Sequence, residues 1–271
     1  MSELIKSFEK YGVSIKKPKT NGAVLFIGAL PSKDNKSLIK EICENSPKII
    51  YFSPMEDQLL HAKADKYVKY EIGSEAGALA LLAKALLNDR ELNEDVRKYI
   101  DELDDGYLSA ESNVGEEEIE ECVKVFDESG LTLLFGDDLH AHPSVDTIAG
   151  LTALISRHFK FLNVSVLDGS ELNPKPSVLL PSTIDDIKSF DGVVIYFYPR
   201  KNDSEKLLAS SQFAIAAKIK DKDDITISTK EGEYKKVFEV CDKLKGVAAL
   251  LGVSDKKGYR YEIAKVRAVN G

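Results

Sequence analysis

The stretch Leu131–Asp168 limits the fold more than any other part of the chain. It opens on Leu131-Thr-Leu-Leu-Phe135, a short apolar run of buried-strand type, closed by Gly136 and the acids Asp137 and Asp138. Pro143 then offers a preset φ at a helix start, where an amide donor is dispensable. Val145, Ile148, Ala149, Leu151, Thr152, Ile155 and Phe159 recur at three- and four-residue steps, which predicts an amphipathic helix. Phe161–Leu167 returns as a second apolar strand. Strand, helix and strand in so short a span make a βαβ crossover, which needs parallel strands and a right-handed connection.

The same alternation runs through the first ninety residues. Met1–Tyr11 places Leu4, Ile5, Phe8 and Tyr11 on one helical face, and a basic linker broken by Pro18 follows. Gly22–Gly28, Lys48–Phe52 and Lys66–Ile72 read as buried strands, separated by helical segments at Asn35–Asn45 and Leu59–Ala64. Ser74 stands before a strongly helical run, Glu75–Leu87. The expected fold class is therefore α/β: an open, mostly parallel sheet with helices on both faces, built from Rossmann-like βαβ units.

Charge divides the chain. Between residues 91 and 128 there are fifteen acids against Arg97, Lys98 and Lys124, a net of −12; the whole chain carries −8, so the remainder sums to +4. Leu92, Val96, Tyr99, Ile100 and Leu103 keep helical spacing, as do Ile119, Cys122, Val123 and Phe126, so two helices with acidic outer faces are expected. Such faces serve either as solvated surface or as docking surface. An overall charge of this sign argues against a general nucleic-acid binder.

Beyond the central unit the patterns are shorter. Ser177–Leu180 reads as a strand, Ile184–Phe190 as a helical turn and Gly192–Tyr198 as a buried strand stopped by Pro199. Asp203–Leu208 begins another short helix. From Gln212 the period becomes two, through Phe213, Ile215, Ala217 and Ile219 and again at Ile225 and Ile227, which predicts a β-hairpin. Val240, Leu244, Val247 and Leu251 suggest a helix, and Tyr259–Val269 a last strand. The expected organisation is an N-terminal helix and linker (1–21), an α/β domain (22–200) with the acidic helical insertion 91–128, and a small β-rich C-terminal appendage (201–271).

No run approaches membrane-spanning length and the N-terminus lacks a signal-peptide apolar region, so a soluble, cytoplasmic protein without direct membrane insertion is expected. Cys43, Cys122 and Cys241 are isolated and read as reduced, packed thiols. Chemistry-bearing groups are few. Gly28 and Gly136, with Asp137, stand where a strand-end turn would cradle a ligand, but a phosphate loop needs more glycines than either segment has. His140 and His142, with Asp138, are the nearest approach to a metal site, in the H-x-H manner of barrel hydrolases. Those sites also draw histidines from other strand ends; here His61 and His158 remain, and His158 falls in the helix.

Several segments together resemble a known family. Asn113-Val-Gly-Glu-Glu-Glu-Ile119, Leu134-Phe-Gly-Asp-Asp-Leu-His-Ala-His-Pro143 and Thr147-Ile-Ala-Gly-Leu-Thr-Ala-Leu-Ile155 are the segments concerned. They look like the C-terminal half of the molybdopterin-oxidoreductase-like subunit of bacterial NADH-quinone oxidoreductase, respiratory complex I. More broadly they look like the α/β domains of the molybdopterin-oxidoreductase superfamily. Tyr70–Leu86, Leu207–Lys218 and Asp242–Val247 are similar to the same regions, so the likeness runs in patches from Gly22 to Leu251. In that family the iron–sulfur centres sit in a cysteine-rich N-terminal region, and the molybdoenzymes add pterin-binding loops; this sequence has neither. The resemblance therefore implies no catalytic residue and no cofactor of its own. It implies partners that are the other subunits of the respiratory complex, iron–sulfur subunits included, and a position peripheral to the inner membrane through them. A stand-alone nucleotide- or small-molecule-binding α/β enzyme, and a metal-dependent hydrolase using His140 and His142, are the rival expectations.

Overall fold

The computed structural model describes residues 1–126, 130–184, 186–256 and 258–269, so positions 127 and 128 of the acidic insertion lie outside the described residues. The chain divides into two compact units, Met1–Ser189 and Phe190–Gly271.

The first unit is a five-stranded, all-parallel sheet. Its strands are β1 (Ala23–Ile27), β2 (Lys48–Phe52), β3 (Lys66–Val68), β4 (Leu131–Phe135) and β5 (Leu162–Val166), in the order β3-β2-β1-β4-β5. The sequence reading placed strands at all five positions. Continuous apolar runs suit this sheet because both of its faces are covered. On one face Val24, Phe26, Ile49, Tyr51 and Leu134 pack against Ile39 and Ile42 of α2 (Lys36–Asn45) and Leu60 of α3 (Gln58–His61). On the other, Leu25, Ile27, Phe52, Leu133 and Phe135 pack against α1 (Glu3–Tyr11), α4 (Glu75–Leu87) and α8 (Val145–His158).

The N-terminal helix α1 is pinned rather than loose. The rings of Phe8 and Phe135 meet edge-on with centroids 5.3 Å apart, and Lys10 and Tyr11 both bond the Asp146 carboxylate at the start of α8. The linker after it lies along β4 and β5: Thr132, Asn163 and Ser165 donate to the carbonyls of Lys19, Lys17 and Lys16 at 2.9, 3.1 and 2.7 Å. Those three polar side chains replace apolar ones where the sheet is covered by backbone instead of by a helix.

The acidic stretch forms three helices where two were expected: α5 (Glu94–Asp101), α6 (Asp105–Ser112) and α7 (Glu116–Val125). The extra boundary comes from Asp104, whose side chain accepts from the Tyr107 N–H and starts α6 as a new helix. Glu116, Glu117 and Glu118 occupy the first turn of α7, where the helix dipole favours them.

The second unit is a curled, mixed seven-stranded sheet of order β11-β6-β10-β7-β9-β8-β12. Its elements are β6 (Val194–Pro199), β7 (Lys206–Ala209), α9 (Ser211–Ala217), β8 (Asp224–Ser228), β9 (Glu233–Val240), β10 (Ala248–Val253), β11 (Tyr261–Ile263) and β12 (Lys265–Ala268). Several expectations change here. The strand at residues 192–198, assigned to a first domain ending at 200, pairs with β10 and β11 inside this second sheet. The segment expected to alternate as a strand is α9, because the Ser210 hydroxyl caps it and it buries Phe213 and Ala214 while Ile215 faces outward. The expected helix through Val240–Leu251 is the end of β9 and the start of β10, separated by a turn containing Gly246 at φ +77°. Lys206–Ala209 is strand, paired in parallel with β9, and not helix. Residues 177–180 and, among the described positions, 184–190 belong to no strand or helix. The β8–β9 antiparallel pair and the C-terminal strand are as expected.

Candidate functional site

In a sheet of this order the chain leaves β1 toward β2 and leaves β4 toward β5, so their carboxyl ends diverge. Open α/β sheets bind ligands at that switch point. Gly28 and Gly136 follow β1 and β4 directly, so two of the candidate residues do meet there.

The space between them is taken by the chain itself. Gly28 adopts φ +65°, and a Cβ on it would lie 2.4 Å from the Leu139 Cγ. A Cβ on Gly136 would lie 2.1 Å from the Gly28 carbonyl oxygen. The Asp138 N–H donates to that same oxygen at 3.1 Å, and the Gly136 N–H to Ile27 O at 2.9 Å. The 3-10 turn Asp137–Ala141 is thus folded back over the strand ends, with Leu139 fully buried as a plug. The glycines admit this turn, a role that needs no ligand.

Behind the plug lies a polar cluster. His142 Nδ1 accepts from the Ser144 N–H at 2.9 Å, which leaves the proton on Nε2, and Nε2 donates to Glu75 at 2.8 Å. Both side chains are fully buried. Glu75 is the first residue of α4, so the helix dipole and the imidazole N–H both stabilise its carboxylate. The Tyr70 hydroxyl donates to its other oxygen at 3.4 Å. Burial, then the charges of Glu75 and Asp138, push the Tyr70 phenol well above its ordinary pKa. Burial does the same to Tyr51, whose hydroxyl reaches the carbonyls of Ala29 and Met55.

His140 has different neighbours. Its Nε2 lies 3.8 Å from Asp137 Oδ1 and 3.6 Å from Asp168 Oδ2, at a partly exposed position. The H-x-H pair therefore splits, His142 toward Glu75 and His140 toward Asp137 and Asp168. The backbone there is a 3-10 turn, not an extended strand end that would send alternate residues to one side. Among the described residues no group of three or more His, Cys, Asp or Glu side chains is arranged to hold a metal ion.

The cysteines are free and separate. Burial pushes the Cys122 thiol up to about 12 and raises that of Cys43, the opposite of an activated thiolate. Glu75 and Tyr70 were not singled out by the sequence as functional. An acid directly after a helix N-cap is ordinary, and the signal that could have marked Glu75 is the apolar run behind it, where an exposed first turn was not available.

No protein-family model matches the chain, and no curated protein is similar to it in sequence. Among described residues no helix is long and apolar enough to cross a membrane. Among solved structures the chain is similar to acetylene hydratase from Pelobacter acetylenicus, with a TM-score of 0.48 and 13% identity. The similarity covers 56% of this chain and 24% of that one, so the chain spans about a quarter of the length of the structure it matches.

Proposed function

We propose that this chain is a cofactor-free structural or assembly subunit of a respiratory NADH-quinone oxidoreductase, akin to that complex's molybdopterin-oxidoreductase-like subunit and supporting electron transfer carried by its neighbours. The observation that carries this reading is the filled switch point. Leu139 occupies the position beside Gly28 where a doubly wound sheet would receive a ligand, and the Glu75–His142 pair closes the space behind it. A nucleotide seated there would have to displace a fully buried leucine and break a buried charge-assisted hydrogen bond. That cost disfavours the rival reading of a stand-alone nucleotide- or small-molecule-binding enzyme.

The sequence likeness of Leu134–Pro143 and Thr147–Ile155 to that respiratory subunit supports the same reading, since those segments build the plug and the helix behind it. In this view the fold is a molybdopterin-oxidoreductase-like body used as a support. Its partners are the iron–sulfur subunits of the complex, and it lies peripheral to the inner membrane through them. The test is affinity capture of the full chain from its native cells under mild conditions, with the captured proteins identified by mass spectrometry. Recovery of iron–sulfur and quinone-reducing subunits in fixed stoichiometry is the expected result. A chain recovered alone, or with unrelated proteins, overturns the proposal.

A further inference from the structure

A groove of about 410 Å³ opens between the C-terminal half of α4 and α7. Its floor is aliphatic: Leu81 and Ala85 from α4, Ile119 and Val123 from α7. Leu81 and Ile119 are buried, while Ala85 and Val123 remain partly open. Each pair is four residues apart, one helical turn, so the two helices present parallel rows of apolar contacts with a channel between them.

The rim has one dominant sign. Asp89, Glu116 and Glu120 are exposed along it. Of the two lysines at the groove, Lys84 is held 2.8 Å from Asp105 and donates to the Leu103 carbonyl, which leaves Lys124 to face the rim carboxylates. Acids on a helix face are ordinarily just solvated. An open aliphatic channel running between them is different, because apolar surface gains by being covered and the carboxylates select the charge of what covers it.

We propose that this groove docks a basic amphipathic helix of a partner protein. Aliphatic side chains of that helix at i and i+4 seat against Leu81, Ala85, Ile119 and Val123, and its flanking Lys or Arg residues meet Asp89, Glu116 and Glu120. The inference rests on the reading of the chain as a support for neighbours, and it names one face through which a neighbour is held.

The test selects short peptides from a random display library on the full chain, then measures their affinity by fluorescence anisotropy. Enriched peptides should carry two aliphatic residues three or four positions apart, with Lys or Arg between and beside them. Their affinity should fall at least about tenfold for Ala85→Leu, which fills the channel, and for Glu120→Lys, which reverses the rim, and it should weaken as salt is raised. Thermal unfolding of each variant checks its fold; should Ala85→Leu fail to fold, the exposed Glu120→Lys still decides. Enrichment of peptides without basic residues, equal binding of a basic peptide stripped of its aliphatic residues, or affinity unmoved by Glu120→Lys overturns the proposal. Native capture separates the two readings. If the Glu120→Lys chain still recovers the oxidoreductase subunits of the unsubstituted chain, the groove assignment fails and the support reading stands. If peptides bind as described while the unsubstituted chain recovers no such subunits, the support reading fails and the groove stands.

Discussion

The imidazole of His142 donates to the carboxylate of Glu75 at 2.8 Å, in a place with no solvent exposure for either side chain. The pair ties the turn after β4 to the first residue of α4, far apart in the chain and adjacent at the strand ends. Because the Ser144 N–H fixes the acceptor at Nδ1, the tautomer is set by the backbone.

Removing one member of this pair should cost far more than removing both. Glu75→Ala or His142→Ala leaves the other group buried without its partner, a loss on the order of 3–5 kcal/mol. The double variant should lose less than the sum of the singles, with a coupling of about 1–3 kcal/mol in a denaturant-unfolding cycle. Strictly additive losses would mean the two groups do not depend on each other.

The plug makes a complementary pair of predictions. Leu139→Ala removes a fully buried side chain and should cost about 2–5 kcal/mol. Gly28→Ala puts a methyl group 2.4 Å from the Leu139 Cγ at a backbone φ of +65°, and should cost about 1–3 kcal/mol or more. Combined, the new methyl enters the space the leucine left, so the double variant should be more stable than the sum of the two losses. Chemical denaturation of the four proteins measures this directly.

Acid should loosen the seat of α1. Burial raises the Asp146 carboxyl, but hydrogen bonds from Lys10 and Tyr11 outweigh it and hold the carboxyl below 3.8. A carboxyl whose folded pKa is depressed contributes stability above its unfolded pKa and loses it as pH falls through the folded value. Thermal unfolding of Asp146→Asn should therefore differ most from the unsubstituted chain above about pH 4 and converge with it in stronger acid. The exposed position of Lys10 makes the difference salt-sensitive.

Alkali should act through the buried phenols. Burial raises Tyr51, Tyr70, Tyr67 and Tyr99, so the neutral phenols stabilise the folded chain below their unfolded pKa of 10, and that stability is lost as pH rises beyond it. Spectrophotometric titration should show these tyrosines ionising together with unfolding. Smooth titration of every tyrosine near its ordinary value, with the fold intact, would contradict the packing described.

The parallel sheet was legible because its strands are continuous apolar runs, each bounded by glycine, proline or acid, and the periods of the intervening helices are long enough to recognise. The second unit was not. Its helix α9 spans seven residues, too few to separate a period of two from one of 3.6, and the spacing of Val240, Leu244, Val247 and Leu251 fits a helix by coincidence across a turn. At the candidate site the glycines at both strand ends were legible. That Leu139, three residues past Gly136, would fill the space between them was not, since a leucine in a loop carries no local sign of where it packs. The partition of His140 and His142 depends on the 3-10 turn, which an H-x-H pattern does not disclose.

The central claim is that this body carries no electron carrier and supports subunits that do. The direct measurement is an ultraviolet–visible spectrum with elemental analysis, taken on the purified chain and on the native complex captured through it. Protein absorption alone and no stoichiometric metal in the chain, with flavin or iron–sulfur signatures in the complex, is the predicted result. A flavin, pterin, cluster or metal ion bound stoichiometrically to the chain itself would contradict it.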